Sequence, residues 1–338
     1  MIPVDLEEED YSPSDLLFPH ASHAADEKKV VLSVPLNLAG HRLDQALAIL
    51  LPDYSRSRLT VMVKAGGVLL DGVLPQPKTK LLGGETITAT LTARAEETAF
   101  KAENIELDVI YEDDVIIVIN KPAGLVVHPA AGNWTGTLLN GLLYRNPSVA
   151  NLPRAGIVHR LDKDTTGVMV AAKTEAAQLN LVRQLQARTM KRQYAALVRG
   201  QVLKDGEVDA PIGRHPRDRT KMAVLEDSVR AKPAKTFYRV MERFGYHTLL
   251  ECSLETGRTH QLRVHLQSLG FPIEADPVYG PSMTGIDAEV RTVFREFNRQ
   301  ALHARRLALV HPLDGKDCLY EVPIPADLRE LIDFCAGL

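Results

Sequence analysis

The chain has 338 residues, 45% of them hydrophobic and only 5% aromatic, enough for a sizeable core over more than one folded unit packed mainly by Val, Leu, Ile and Ala. No apolar run reaches the roughly 18 residues of a spanning helix, and Met1-Ile2-Pro3-Val4-Asp5 lacks the basic-then-apolar pattern of a secretory leader. Cys252, Cys318 and Cys335 are too far apart for a disulfide framework or a zinc cluster, so a cytoplasmic protein with no membrane contact and no metal is expected.

Net charge is −3, but it is unevenly spread. Residues 1–27 hold eight acids and neither Lys nor Arg, leaving +5 on the rest of the chain. Between Arg183 and Arg243, fifteen Lys or Arg stand against seven Asp or Glu, a positive field suited to phosphate. Residues 1–28 read as an acidic disordered tail. From 29 to 95 a small unit follows. Leu43, Ala46, Leu47 and Leu50 share a helical face, and Ser55 suits the N-cap of a second helix that Gly66-Gly67 would end. Val68-Leu69-Leu70, Asp71-Gly72 and Val73-Leu74 spell strand, turn and strand, and Thr86-Ile87-Thr88 is a further strand. Two helices leading into a small sheet, with Tyr54-Ser55-Arg56-Ser57-Arg58 and Gly83-Gly84-Glu85, resemble the S4 RNA-binding module. That resemblance makes Arg42, Arg56, Arg58 and Lys64 candidates for RNA contact.

Residues 96–106 are polar and unpatterned, a linker. The large domain is expected over 107–338. Val109-Ile110-Tyr111 and Val115 to Ile119 read as strands that Asn120-Lys121-Pro122-Ala123-Gly124 breaks off. Glu175 to Arg188 is a helix with Ala177, Leu181 and Leu185 on one face. Gln193 to Val198, Thr236 to Glu242, His247 to Leu254, Leu302 to Val310 and Leu319 to Val322 have strand character. Thr259 is placed to cap a helix carrying Leu262, Leu266 and Leu269, Asp276 to Gly280 is a turn, and the loop from Pro281 to about Val290 looks mobile. Asp327 to Cys335 closes the chain as a helix. Strands and helices alternate without βαβ regularity, which predicts an α+β fold with a mixed, mostly antiparallel sheet flanked by helices and loops.

Between the apolar runs Ile157-Val158 and Val168 to Ala172 sit His159, Arg160, Asp162, Lys163 and Asp164. A charge cluster there needs cations and hydrogen bonds to hold its carboxylates. A solvated hairpin loop would explain it blandly. The wording says more: His159-Arg160-Leu161-Asp162 followed by Thr165-Thr166-Gly167 resembles the signature of the RluA-type pseudouridine synthases. Asn120 to Pro129, Lys191 to Leu197 and Glu255 to His265 match further signatures of that family, in family order, and the likeness runs from about residue 30 onward. It is closest to the D-type branch acting on 23S rRNA, which carries an N-terminal S4 module.

The resemblance implies uridine-to-pseudouridine isomerisation without cofactor or metal, by a monomer whose partner is 23S rRNA, at the helix 69 stem-loop. It assigns the catalytic role to Asp162, with Arg263 as its cationic partner and Tyr194 stacking on the uracil. Leu262 packs on the base, Arg160 fills the gap left by the flipped uridine, and His159 and Thr165 support the substrate. A carboxylate beside C1′ serves either as nucleophile or as counter-charge to an oxocarbenium-like carbon. Asp164 competes with Asp162 on chemistry alone. Two other functions stay open on sequence: a synthase acting on tRNA or other rRNA sites, and a non-catalytic RNA-binding assembly factor.

Overall fold

The computed structural model describes residues 28–52, 54, 56–91, 99–130, 133–218, 220–226 and 228–338. Residues 1–27 of the acidic tail, the Ser55 cap and the Arg58 side chain lie outside the described residues. The chain divides between Ala99 and Phe100 into a small unit and a large one.

The small unit holds β1 (Lys28–Ser33), α1 (Leu43–Leu50), α2 (Arg56–Lys64), β2 (Val68–Leu70) and β3 (Thr86–Leu91). Its antiparallel sheet runs β1-β3-β2, so the edge strand β1 begins inside the stretch read as tail. Leu43, Ala46 and Leu47 of α1 pack with Leu59, Val68 and Ile87, each fully enclosed. Every such leucine contributes about 1.5–3 kcal/mol of burial. The expected hairpin between Val68-Leu70 and Val73-Leu74 is corrected. Leu70 and Val73 close only a tight turn, and β2 takes its ladder from β3. Leu74 runs straight into Pro75 and Pro77, which have no amide hydrogen to donate to a ladder. At the start of α1, buried Asp44 accepts from Arg42 Nε at 3.0 Å and from Arg56 Nη2 at 2.7 Å. Burial pushes this carboxyl up, but the Arg56 and Arg42 hydrogen bonds and charges outweigh it and hold the group below its ordinary value.

The large unit contains β4 (Val109–Glu112), β5 (Ile116–Lys121), α3 (Leu138–Arg145), β6 (Thr166–Ala172), α4 (Glu175–Gln186), β7 (Lys191–Arg199) and β8 (Gly206–Asp209). It continues with β9 (Ile212–Arg214), β10 (Met222–Val224), β11 (Lys235–Phe244), β12 (His247–Leu254), α5 (Gln261–Ser268), α6 (Ala288–Phe297), β13 (Leu302–Val310), β14 (Asp317–Glu321) and α7 (Ala326–Ala336). One nine-stranded sheet has the order β4-β5-β6-β13-β7-β12-β11-β8, with β14 also on β13. Its described pairings are antiparallel except β6 with β13, which is the α+β mixed sheet expected. The separate hairpin β9–β10 carries part of the basic stretch.

Helices cover both faces of the sheet at its β5–β6 end, which is why those strands read as unbroken apolar runs. Ile116, Val118, Val168 and Val170 face Ala177, Leu181 and Leu185 of α4. Ile117, Ile119, Met169 and Ala171 belong to the opposite core with Leu138, Leu139 and Leu142 of α3. Four expectations need correction. The end of the supposed linker is strapped to the large unit: Asn140 Nδ2 donates to the Lys101 carbonyl at 2.7 Å, and Gly136 N donates to the Glu103 carboxylate. The loop assigned to 281–290 gives way to α6 at Ala288, which Asp287 caps through the Glu289 amide. The N-cap of α5 is His260 rather than Thr259, held in the left-handed region at φ +56°. Val158 lies outside any strand, since only Ile157 bridges Ala171.

Candidate active site

The segment 158–165 leaves the sheet after the Ile157 bridge and returns as β6. Two contacts fix its shape. Lys121, 1% exposed at the end of β5, donates to the carbonyls of Pro122, Leu125 and Lys163 at 2.9, 2.9 and 2.7 Å. Burial pulls its ammonium down to about 7 against the opposing charges of Asp164 and Asp162. On the other side, Thr165 Oγ1 accepts from Gln300 Nε2 at 2.9 Å, and Thr166 Oγ1 meets His303 Nδ1 at 2.8 Å. Gly167 is obligatory at this seam. Its φ is +121°, and a Cβ there would stand 2.1 Å from the Ala304 carbonyl oxygen of β13.

The loop presents Asp162, whose side chain is 19% exposed, to Arg263 on the first turn of α5. Arg263 Nη1 donates to Asp162 Oδ2 at 3.0 Å. The other edge of the guanidinium is held by Asp276, with Nε to Oδ2 at 2.7 Å and Nη2 to Oδ1 at 2.9 Å. Asp276 Oδ1 also accepts from the amides of Val278 and Tyr279. Burial raises the Asp276 carboxyl, but the Arg263 hydrogen bonds and charge with those amides keep it below its ordinary value. For Arg263, burial acts downward, and the two carboxylates outweigh it and raise the group further. Its guanidinium carbon sits 4.9 Å from the centre of the Tyr279 ring. The Tyr279 hydroxyl accepts from Met222 N of β10 at 2.7 Å and meets His260 Nδ1 at 2.9 Å. One arginine is therefore gripped on three sides and offers its remaining corner to Asp162.

These groups line a cleft of about 470 Å³. Tyr194 on β7 forms its wall, 6% exposed, with its phenol pushed up to about 12 by burial and by the Asp162 charge, against the opposing pull of Arg192. His159 Nε2 accepts from Val170 N at 3.1 Å, so its proton resides on Nδ1, and burial with the nearby Arg192 charge depresses the ring to about 3. Leu262 and Leu302 supply apolar surface. Among the described residues, six arginines, Arg154, Arg160, Arg192, Arg214, Arg258 and Arg263, line the cleft, against the one carboxylate of Asp162. Such a chamber suits a polyanion carrying a flat, partly apolar group.

The family model described as RNA pseudouridylate synthase matches residues 115–268. The chain is 53% identical over 327 residues to the ribosomal large subunit pseudouridine synthase D of Neisseria meningitidis serogroup B, covering 96% of this chain and 86% of that protein. The chain belongs to the pseudouridine synthase family. The synthase is also 54% identical to the protein of the same name from Nitrosomonas europaea, over 94% of this chain and 91% of that one. With its Escherichia coli K12 counterpart it shares 50% identity over 91% and 95% of the two chains. Among solved structures, human RNA pseudouridylate synthase domain containing 4 superposes with a TM-score of 0.52 at 25% identity, over 67% of the synthase and 91% of that chain.

The structure of the synthase brings together Asp162, Tyr194, Arg263, Leu262, His159, Arg160 and Thr165 around one cleft. Arg160 is exposed at its rim. The rival carboxylate Asp164 does not line it, and its charge acts on Lys121 instead. In the small unit Arg42 and Arg56 are spent in part on Asp44, while Lys64 is exposed at the end of α2. Sequence reasoning passed over Asp276, Tyr279, Lys121 and Arg192. Asp276 and Tyr279 were legible only as a turn, and the one available hint was an acid beside a proline in a segment otherwise free of charge from Pro272 to Gly285 except Glu274.

Proposed function

We propose that the synthase isomerises uridines of large-subunit ribosomal RNA, flipped one at a time into the cleft, with Asp162 at C1′ of the target. One observation carries this reading: the Asp162 carboxylate, on the wall of an arginine-rich cleft, is hydrogen-bonded at 3.0 Å to an arginine that Asp276 immobilises from behind. The reaction breaks the N1–C1′ bond, turns the uracil, and forms C5–C1′; the C5 proton leaves and N1 takes one up, so the atoms of uridine are conserved. As nucleophile, Asp162 forms a glycosyl ester at C1′ as uracil leaves, and C5 then displaces it. As counter-charge, it stabilises an oxocarbenium-like C1′. Both routes require the ionised carboxylate, which an adjacent guanidinium favours.

Tyr194 stacks on the uracil, Leu262 packs against it, and His159 and Thr165 hold the surrounding loop. Arg160, exposed beside the cleft mouth, enters the RNA where the base was and offsets the few kcal/mol of unstacking. Residues 29–95 act as an S4-like RNA-binding module in which Lys64 and Arg58 contribute affinity and Arg42 and Arg56 divide their charge between RNA and Asp44. The expected target within 23S rRNA is the helix 69 stem-loop.

Tritium release from RNA labelled at uridine C5 tests the chemistry. Asp162→Asn loses turnover while still folding and binding RNA, and Asp164→Asn keeps substantial activity. An active Asp162→Asn beside an inactive Asp164→Asn would overturn the assignment. Mapping pseudouridine in rRNA and tRNA with and without the protein tests the substrate. Modification confined to tRNA refutes the rRNA reading, and a wild-type protein that binds rRNA but converts no uridine refutes catalysis.

A further inference from the structure

Among the described residues, the buried arginines of the large unit are, with one exception, matched to an acid. Arg263 has Asp276 and Asp162, Arg299 has Asp327, and half-buried Arg199 has Glu274. Arg192 is the exception. It is 7% exposed, yet it forms no salt bridge or side-chain hydrogen bond with any described residue, and its Nε is enclosed without a partner. Leaving a guanidinium desolvated and unpaired is expensive, so such a group signals an anion that arrives from outside.

Its surroundings keep the place open. Arg192 stands on β7 two residues before Tyr194, so both side chains leave the same face of the strand and line the same cleft. Across from it runs the Glu255–His260 loop, where Gly257 has no side chain to interpose. A Cβ at Gly257 would lie 2.6 Å from Arg192 Nη1. The other arginines of the cleft add to the positive field, and the one carboxylate lining it among the described residues, Asp162, is already engaged by Arg263.

We propose that Arg192 receives a phosphodiester group flanking the target uridine. The planar guanidinium presents paired N–H donors that match two phosphate oxygens, a geometry that a lysine does not reproduce. With the base against Tyr194 and the phosphate on Arg192, the flipped nucleotide is held at two points on one strand. C1′ then has little freedom to drift from Asp162 while the detached uracil turns. Arg192 is thus a specificity residue for a nucleotide embedded in a chain, as opposed to a free nucleoside. The inference rests on the proposal above that the cleft takes a flipped uridine.

The test uses a short RNA stem-loop carrying one uncharged methylphosphonate linkage, placed either 5′ or 3′ to the target uridine. One of the two placements is expected to lower kcat/KM of the wild-type protein by about 10- to 100-fold, the scale of a lost charge-assisted hydrogen-bond pair. Arg192→Gln shows a loss of that size on the all-phosphate RNA and no further loss on the affected methylphosphonate RNA. Arg192→Lys recovers part of it. The slope of log affinity against log salt falls by about 0.7–0.9 in Arg192→Gln, one phosphate contact fewer. Losses that multiply when variant and neutral linkage are combined overturn the proposal, as does wild-type indifference to both linkages. The wild-type arm needs no mutation, so a poorly folding variant leaves the question decidable. Repeating the comparison by fluorescence anisotropy with Asp162→Asn protein reads binding without chemistry, so an error over the nucleophile stays distinguishable from an error over Arg192.

Discussion

Asp276→Asn isolates the contribution of the carboxylate behind Arg263. Asn is nearly isosteric and keeps an oxygen where Oδ1 accepts from Arg263 Nη2 and the Val278 and Tyr279 amides. Its amide nitrogen then replaces Oδ2, so two donors face each other where Arg263 Nε now donates at 2.7 Å. The Asp276 side chain is fully enclosed and that of Arg263 is 6% exposed, so water does not repair the loss. Removing one partner of a buried pair costs about 3–5 kcal/mol. Because Arg263 keeps Asp162, the low end applies, about 3 kcal/mol, equivalent to a fall in melting temperature of roughly 6–12 °C.

Arg263 also turns toward Asp162 for its only counter-charge. We expect kcat to fall about 10- to 100-fold with KM nearly unchanged, since the arginine touches the reacting carboxylate and not the bulk of the RNA. Acid sensitivity gives an independent reading. The folded carboxyl of Asp276 is held below its unfolded value of about 3.9, so its stabilisation is complete above about pH 4 and drains away as pH falls through the folded value. The variant lacks this part of the acid slope. Differential scanning calorimetry and tritium release measure both effects. A variant melting within about 1 °C of the parent with normal kcat would refute the buttress.

Lys121→Met removes three donors from the carbonyls of Pro122, Leu125 and Lys163. Stability falls by about 3–5 kcal/mol through the unsatisfied carbonyls, and kcat falls with it as the Asp162 loop loosens; thermal unfolding with single-turnover kinetics checks both, and an unchanged single-turnover rate rejects the clamp. Gly167→Ala places a methyl 2.1 Å from the Ala304 carbonyl oxygen, so the seam between β6 and β13 opens and the protein is recovered largely insoluble or more than about 4 kcal/mol less stable. Soluble Gly167→Ala protein with parental melting would contradict the close approach.

The sequence was most readable where chemistry and local pattern coincide. Asp162 stood out as an acid between apolar runs, and β13 was legible as a strand from Leu302 to Val310. Partner choice was less readable, because it is settled in space. Asp162 and Arg263 are 101 residues apart, and only family wording joined them in advance. Asp276 looked like a turn former because its proline neighbour explained it sufficiently. Thr259 was preferred to His260 as a cap since a histidine at positive φ has no periodic signature. The helix α3 went unread although Thr137 and Asn140 form a reciprocal capping pair and Leu138, Leu139 and Leu142 share a face, because short glycine-containing helices score poorly by propensity. The solitude of Arg192 was invisible, since nothing in a linear chain records which cation lacks an anion.

The parallel seam between β6 and β13 has a consequence for the order in which the molecule comes into being. β13 lies between β6 and β7 in the sheet, yet in the chain it comes after both of them and after β8 to β12. While the ribosome is still adding residues before Leu302, the nascent chain can build β4-β5-β6 and β7-β12-β11-β8 as two separate blades. Asp162 enters β6 on one, and Tyr194 and Arg263 belong to the other. The wedge that sets them face to face emerges late, and long-range pairing of this kind is slow to close. Asp162 and its two partners therefore come face to face only once β13 has paired with β6 on one side and β7 on the other.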